Sequence, residues 1–378
     1  MEIIFLLGSA QAFFFGFLLL GKDNNGLHQK LLFFYFGIIG LVLLEHFLFL
    51  KAIVFIYPHL LGLTYTLPIL AGPILLFYTK SLISQNDLKL FPAFLVHSIP
   101  FLALTIYFAY DFYFLSPTEK LLYYEKETRN ETSAVVYIAE FFISLLVPVY
   151  SIISILLLKK HLKHIKQSFS NTMNLDLHWL KIVLVCMLFI SFVSVSMALL
   201  SDHSNLISYQ NGDNVMYVAL SLVIYFLGYY GIKQKPIFSN ANNAAEKEVS
   251  QRLKLKYANS SLKHPEKENL INRLTDFMDT EKPFMCDELT LNDLANKLEI
   301  LPNNLSQLIN EGFNKNFYEF VNEYRVNEVK KMLADPKYTH YSLLGIAFEC
   351  GFSSKSTFNS VFKKFTRKTP SEYRKSLL

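Results

Sequence analysis

The sequence predicts an all-α protein with an N-terminal bundle of about seven transmembrane helices followed by a separate helical domain. Three observations lead to this fold class. Of the 378 residues, 52% are hydrophobic and the mean hydropathy is +0.27, which is too apolar for a purely soluble chain of this length. Apolar runs that approach the length of a bilayer-spanning helix recur in the first part of the chain. Toward the C-terminus, apolar residues instead recur at helical spacing among charged ones.

Seven apolar segments carry the predicted spans. They cover residues 3–20, 31–49, 60–83, 91–110, 134–158, 178–200 and 215–232. The first segment has neither a basic n-region nor an A-x-A cleavage site, and further spans follow it, so we predict a retained helix rather than a signal peptide. Pro68, Pro73, Pro100 and Pro148 are predicted to kink the spans that contain them.

The charges of the connecting loops predict the orientation. Lys159, Lys160, Lys163 and Lys166 follow the fifth span, and cationic residues near span ends are retained in the cytoplasm. The loop after the fourth span carries more acidic than basic residues and is predicted to lie outside. An odd number of spans therefore places the N-terminus outside and everything after Lys235 in the cytoplasm.

The predicted domain organisation follows from an abrupt change in composition. Residues 1–235 form the seven-span transmembrane domain, residues 236–264 form a polar linker, and residues 265–378 form a charged helical domain. The three cysteines are far apart in sequence and form no paired spacing typical of a zinc or redox site, so no metal is predicted.

Two helix–turn–helix pairs are predicted in the C-terminal domain. In the first pair, Thr290 is the expected N-cap of the helix LNDLANKLEI, and Pro302 begins the helix NNLSQLINEG. In the second pair, Gly351 fits a turn that needs positive φ, and Ser353 is the expected cap of the helix SKSTFNSVFKKF. Two short helices across a tight turn form the DNA-reading supersecondary unit.

The side chains of the second pair divide into an apolar and a cationic set. The aromatic residues predicted to lie in the core are Phe348, Phe352, Phe358, Phe362 and Tyr373. The cationic residues that follow the turn are Lys355, Lys363, Lys364, Arg367, Lys368, Arg374 and Lys375. A cluster of this kind suits contact with phosphates, although an exposed lysine run is more often a solvated face.

Residues 291–374 resemble the DNA-binding domain of the AraC/XylS-type transcription regulators. The segment IAFECGFSSKSTFNSVFKKFTRKTPSEYR follows their signature I-A-x-x-x-G-F-x-S-x-S-x-F-x-x-x-F-K-K-x-x-G-x-T-P-x-x-Y-R, except that Arg367 replaces a glycine. The resemblance covers roughly the last quarter of the chain. It implies a domain of about seven helices, in which two reading pairs flank a long linker helix at residues 317–333.

The resemblance also assigns residues to DNA. Its implied base contacts are Asn303, Ser306 and Gln307 in the first recognition helix and Lys355, Ser356, Asn359 and Ser360 in the second. Its implied contacts to the DNA backbone are Lys363, Lys364 and Arg367. Asn and Gln can bond an adenine edge with two hydrogen bonds, and lysine can reach guanine acceptors. Glu299 and Leu301 stand where the family has a glycine and a capping serine, so a strained or differently capped turn is expected in the first pair.

The membrane half contains three ionisable residues that are candidates for sensing a ligand. Glu45, His46 and Glu140 lie within predicted spans, where such residues are costly and often functional. They are expected in the outer half of the membrane and could meet in one cavity open to the outside. The alternative is that they bond to neighbouring helices or lie near an interface.

The leading hypothesis is a multi-pass protein of the bacterial cytoplasmic membrane that acts as a one-component transcription regulator. Its expected partners are double-stranded promoter DNA, the lipid bilayer, a second copy in a homodimer, and an unidentified small-molecule or membrane signal. No catalytic motif is found, so neither an enzyme nor a cofactor is predicted. One alternative is a transporter or channel with an accessory helix–turn–helix domain. Another is release of the C-terminal domain by proteolysis in the linker.

Overall fold

The computed structural model describes residues 2–21, 26–83, 90–128, 134–173, 175–204, 209–233 and 264–377, and this part of the chain is helical without a β-strand. The chain divides into two compact units. The N-terminal unit comprises residues 1–159 and 177–237, and the C-terminal unit comprises residues 160–176 and 238–378. The predicted linker, residues 236–264, lies outside the described residues except for its last position.

Ten α-helices precede residue 234 in the described ranges. They are α1 (Glu2–Leu20), α2 (Leu27–Leu50), α3 (Ile53–Ile56), α4 (Ala71–Ile83), α5 (Leu90–His97), α6 (Ile99–Phe108), α7 (Pro117–Thr128), α8 (Ala134–Ser168), α9 (His178–Ser204) and α10 (Tyr209–Lys233). Helices α1 and α2 pack closely, and the Ser9 hydroxyl donates to the Gly40 carbonyl across 2.8 Å. Phe17, Phe189 and Phe192 leave about two thirds of their surface exposed.

Five of these helices are long and apolar enough to cross a membrane. They are α1, α2, α8, and the parts of α9 and α10 at His178–Met197 and Asn214–Lys233. A sixth span results if Ile99–Tyr113 and Pro117–Lys126, which are bent by 109° at their junction, count as one. The prediction of seven unbroken spans is therefore not confirmed for the described residues.

Prolines explain the two predicted spans that are broken. In the predicted span 60–83, a 3₁₀ turn at Leu67–Leu70 contains Pro68 and precedes α4. In the predicted span 91–110, α5 ends at His97 and a new helix begins with Pro100 in its first turn. Proline is readily accepted in the first turn of a helix, so an apolar run with an internal proline can become two helices. Pro148, by contrast, lies inside the continuous helix α8.

The described part of the C-terminal unit contains seven further α-helices, in agreement with the fold that the resemblance implies. They are α11 (His264–Thr280), α12 (Leu291–Lys297), α13 (Pro302–Phe313), α14 (Phe317–Ala334), α15 (Leu343–Glu349), α16 (Lys355–Thr366) and α17 (Pro370–Lys375). Helix α14 is the predicted linker helix and ends one residue later than expected.

Helix α14 connects two hydrophobic cores. Its first half contributes Phe317 and Phe320 to a core shared with α11, α12 and α13. Its second half contributes Val326 and Val329 to a core shared with α15 and α16. Each helix–turn–helix pair therefore has a core of its own, and one rigid helix positions both pairs.

Candidate nucleic-acid interface

The first helix–turn–helix pair begins with the cap that the sequence predicts. The Thr290 hydroxyl accepts from the Asp293 backbone N–H across 3.1 Å, and the Asp293 carboxylate accepts from the Thr290 N–H across 3.0 Å. This reciprocal capping box satisfies two N–H groups that the helix itself cannot bond. Thr290 therefore fixes where α12 starts.

The turn of the first pair departs from the usual glycine. Glu299 occupies the left-handed region, with φ at 57°. The N-cap of α13 is Leu301, which offers no side-chain cap bond, and Pro302 follows in the first turn. The expected strained and differently capped turn is thus present, because a residue with a Cβ adopts positive φ only at an energetic cost.

Helix α13 places two of its three predicted base contacts on the surface. Asn303 and Gln307 are exposed and Ser306 is partly buried, whereas Leu305 and Leu308 face the core. Two of these polar side chains also bond within the helix. Gln307 donates to the Glu311 carboxylate across 2.9 Å, and the Asn310 amide donates to the Ser306 hydroxyl across 3.4 Å.

The C-terminal end of α13 carries a carboxylate near these polar residues. Glu311 forms an ion pair with Lys267 at 2.7 Å, and this hydrogen bond holds the pKa of the Glu311 carboxyl below its usual range. Glu311 therefore stays ionised near neutral pH. The ion pair with Lys267 offsets this negative charge.

The second pair turns at Gly351, whose φ of 86° confirms the predicted left-handed turn. A Cβ at this position would lie 2.4 Å from the Phe284 carbonyl oxygen, so the turn needs glycine for space as well as for conformation. The predicted cap was one residue early. Ser354, rather than Ser353, is the N-cap of α16, and its hydroxyl accepts from the Thr357 N–H across 3.2 Å.

Helix α16 separates an apolar face from a polar one. Phe358, Val361 and Phe362 are buried. The predicted DNA-contacting residues of this helix are all exposed, namely Lys355, Ser356, Asn359, Ser360, Lys363 and Lys364. Spacings of three and four residues align these side chains along one side of the helix. The structure therefore brings the predicted base contacts of the second pair onto one exposed stripe.

The stripe continues into cations at the end of α16. Lys363 is exposed in the last turn of the helix, and Arg367 is exposed at its C-cap with φ at 63°. Lys364 donates to the Glu319 carboxylate of α14 across 2.6 Å, although its side chain remains 59% exposed. That ion pair links the second recognition helix to the linker helix and was not predicted.

One prediction about the second pair was wrong and one contact was not predicted. Phe348 is 49% exposed, whereas Phe352, Phe358 and Phe362 are buried as predicted. The Arg374 guanidinium donates to the carbonyls of Tyr341 and Thr339 at 2.9 and 2.5 Å. Arg374 therefore closes the turn before α15. Neither outcome has a local sequence signal, since both depend on how α15 and α17 pack.

Glu45 and His46, two of the candidate sensing residues, bond to different partners in the N-terminal unit. The Glu45 carboxylate accepts from the Thr64 N–H across 2.8 Å and also from the Thr64 hydroxyl. The adjacent His46 pairs through Nε2 with the Asn214 amide oxygen at 2.8 Å. Glu140 is exposed. These contacts agree with the alternative that such residues bond neighbouring helices, and the sensing role stays a prediction.

Comparison with known proteins identifies the C-terminal segment. Residues 294–376 match a family described as a helix-turn-helix domain, and they are an AraC-type domain of that kind. An uncharacterized HTH-type transcriptional regulator of Staphylococcus aureus (strain COL) is 29% identical over 118 residues, which are 31% of this chain and 15% of that protein. The melibiose operon regulatory protein of Escherichia coli (strain K12) is 32% identical over 87 residues, which are 23% of this chain and 28% of that protein.

A solved structure is also similar in sequence to part of this chain. A protein of unknown function from Listeria innocua is 30% identical, and the match covers 28% of this chain and 95% of that one, with a TM-score of 0.25. The matched shares of the two regulators are well under two thirds of their lengths. This chain therefore spans only a small part of the length of either regulator.

Proposed function

We propose that this protein, whose C-terminal part is an AraC-type helix-turn-helix domain, is a membrane-tethered transcription regulator that binds promoter DNA sequence-specifically. The observation that carries the proposal is the exposed stripe of α16. It runs from Lys355 through Asn359 to Lys363 and Arg367, which are all exposed, whereas Phe358 in the same helix is buried. Amide and ammonium groups can read base edges in the major groove, and the cations that follow can bind phosphates.

Tethering is proposed on the basis of the five long apolar helices. In this proposal residues 1–235 form the membrane domain, with the N-terminus outside, residues 236–264 form a linker, and residues 265–378 bind DNA in the cytoplasm. Five described helices have the length and apolar character to span a bilayer. The lysines at the end of α8 favour a cytoplasmic location for residues 160–176.

One contact within the C-terminal unit supports placing residues 160–176 and the DNA-binding domain on the same side of the membrane. Ser170, between α8 and α9, bonds to Arg325 of the DNA-binding domain. The long apolar helices α9 and α10 separate these two points in the chain, and two spans return a chain to the side from which it started. This inference depends only on α9 and α10, so it holds whether the chain has five, six or seven spans.

Regulation is proposed to need no phosphotransfer. A stimulus in or outside the membrane would be sensed by the spans and would change the affinity or geometry of the DNA-binding domain at a promoter. Pairing of two copies would place two domains on neighbouring half-sites and raise affinity through effective concentration. Glu45 and His46 are the proposed starting points for a search for the stimulus.

The experiment that tests this function is selection of DNA by the full-length protein in lipid nanodiscs. Random-sequence duplexes are bound over several rounds at near-physiological salt, with wild type and with Lys355→Ala and Asn359→Ala. Matched controls are Lys337→Ala and Asn327→Ala, which remove the same side chains at exposed positions outside α16. We expect a defined site that is lost or relaxed in the α16 variants alone.

Two other outcomes are decisive. A folded protein that enriches no site would refute sequence-specific binding. An enriched site that all four variants bind equally would refute the assignment of α16 as the reading helix.

A further inference from the structure

The segment between α8 and α9 is bonded to the DNA-binding domain. We name residues 160–176 the α8–α9 segment; they belong to the C-terminal unit. Its residue Ser170 is only 1% exposed. The Ser170 N–H donates to the Leu289 carbonyl across 3.2 Å, and the Ser170 hydroxyl donates to the same oxygen across 2.6 Å.

The opposite side of Ser170 faces α14. The Ser170 carbonyl accepts from the Asn322 amide across 3.1 Å and from the Arg325 guanidinium across 3.3 Å. A second N–H of Arg325 donates to the Ser170 hydroxyl across 3.1 Å. Every polar group of this one serine is therefore bonded to the DNA-binding domain.

Arg325 is a buried cation whose acceptors are all uncharged. It is 1% exposed, and its remaining donors bond the Phe284 carbonyl at 2.7 Å, the Cys286 carbonyl at 2.7 Å and the Asn322 amide oxygen at 3.4 Å. Burial lowers the pKa of Arg325 to about 10, and the charge of Asp287 acts in the opposite direction. A buried guanidinium is tolerated only when its donors are satisfied, and two of its five bonds come from Ser170.

The segment contacts the residues that position the reading pairs. Phe169 forms an isolated antiparallel bridge with Thr290, the N-cap of α12. The Lys166 Nζ atom lies 5.4 Å from the centre of the ring of Tyr318, a residue in the first turn of α14. Lys364 chiefly, and Lys166 to a smaller extent, lower the pKa of the Glu319 carboxyl. These contacts reach Thr290, Tyr318 and Glu319, which lie at the starts of α12 and α14.

We infer that the α8–α9 segment is a docking site for the DNA-binding domain, with Ser170 seated on Arg325 and Asn322 of the linker helix. This inference rests on the proposed function. Helix α8 is continuous to Ser168, two residues before the docked serine, so a shift or rotation of α8 reaches α14 without a flexible joint. Docking therefore gives the spans a direct route to the element that positions both reading pairs.

The test separates docking from covalent attachment. A site for a specific protease is inserted within residues 241–262 of the full-length protein in nanodiscs, and the linker is cut. The quantity measured is the fraction of the C-terminal domain that stays with the nanodiscs after washing. Docking predicts that the wild-type domain is retained, and release of the wild-type domain would overturn the inference.

Two substitutions that place opposite charges at position 170 test the contact with Arg325. Ser170→Arg sets a second cation against Arg325, so we expect retention to fall about tenfold or more. Ser170→Asp sets a carboxylate there, so retention should persist. His164→Arg adds the same cation at an exposed position of the same segment and should leave retention unchanged. If the Ser170→Arg and Ser170→Asp proteins retain the same fraction of the C-terminal domain, whether high or low, the inferred docking of Ser170 on Arg325 is overturned.

DNA binding measured on the same samples distinguishes failure of the docking inference from failure of the proposed function. The uncut Ser170→Arg protein should differ from wild type in its Kd for the enriched site by about fivefold or more, as expected for coupled sites. His164→Arg should not differ. Equal Kd values in all proteins would refute the route from α8 to the reading pairs. Retention without any DNA binding would refute the proposed function and leave docking intact.

Discussion

The guanidinium of Arg325 donates hydrogen bonds to both the hydroxyl and the carbonyl oxygen of Ser170, a residue 155 positions earlier in the chain. The contact buries a cation against a segment that lies between two long apolar helices. It ties the DNA-binding domain to a part of the chain that lies outside the matched family, which begins at residue 294.

The first prediction concerns the geometry of that guanidinium. Arg325→Lys keeps the charge but replaces a planar fork of five donors by a compact group with three, so buried carbonyls lose their partners. We expect the free energy of unfolding of the C-terminal domain to fall by about 2 kcal/mol. The measurement is protease susceptibility of the full-length protein against urea concentration. Arg273→Lys is the control, because exposed Arg273 makes one bond, to the Leu298 carbonyl; equal loss in both variants would contradict the prediction.

The second prediction concerns the turn before α16. Gly351→Ala forces a Cβ into the left-handed region and to within 2.4 Å of the Phe284 carbonyl oxygen. We expect a loss of about 3 kcal/mol in the same assay. Gly345→Ala is the control: Gly345 lies within α15, and its added Cβ would come no closer than 3.1 Å to the Ser342 hydroxyl. A Gly351→Ala protein as stable as this control would show that the turn is not constrained as described.

The third prediction is that one substitution by glycine stabilises the C-terminal domain. Glu299 has φ at 57°, so Glu299→Gly relieves strain in the turn between α12 and α13. We expect a gain of about 0.5 kcal/mol in stability. Glu288 is not among the residues with positive φ, so Glu288→Gly should instead lower stability through the flexibility of the unfolded chain. Thermal unfolding of the C-terminal domain followed by proteolysis would distinguish the two, and destabilisation by Glu299→Gly would contradict the strain argument.

The fourth prediction concerns thiol reactivity. Burial raises the pKa of the Cys350 thiol to about 12, whereas Cys286 is exposed. With Cys186 replaced by Ser, maleimide at pH 8 should label Cys286 and leave Cys350 unlabelled until the domain unfolds. The raised pKa favours the protonated thiol in the folded state, so this contribution to stability is complete below about pH 9 and declines as the pH rises toward 12. Labelling of Cys350 at the rate of Cys286 in the folded protein would be inconsistent with this burial.

The fifth prediction separates backbone contacts from base contacts on α16. Lys363→Gln should weaken binding to every DNA sequence and reduce the slope of log affinity against log salt by about 0.9. Asn359→Ala should instead reduce discrimination at one base pair by about 1–3 kcal/mol and leave the slope unchanged. Binding isotherms of the full-length protein at four salt concentrations provide the measurement, with Lys337→Gln as the charge-matched control. An unchanged slope for Lys363→Gln would remove Lys363 from the phosphate contacts.

Local sequence patterns were sufficient for most helices. The start of α12 at Thr290, the start of α13 at Pro302 and the extent of α14 follow from caps, proline and helical periodicity, which act over a few residues. The exposed stripe of α16 follows from the same periodicity. These features were predictable because each is fixed by its immediate neighbours in the chain.

Other features needed the tertiary structure. Two apolar segments were long enough to be predicted as single spans, yet breaks near Pro68 and Pro100 divide each of them. Exposure of Phe348 and the backbone contacts of Arg374 depend on which helices pack beside them. The sequence does contain one signal for the buried guanidinium: Arg325 lies four residues after Val321 and four before Val329, which places a cation on the buried face of the linker helix.

Composition is enough to predict an apolar helical half, and repeats of three to four residues are enough to predict the polar, cationic stripe of α16. The AraC-type domain follows from the resemblance of residues 291–374 to the family signature. The hydrogen bonds of Arg325 to Ser170 and of Lys364 to Glu319, by contrast, appear only in the folded chain. The physical reason is that a buried charge takes whichever acceptors the folded chain brings to it, and closure of a loop of 155 residues leaves no local pattern in the sequence.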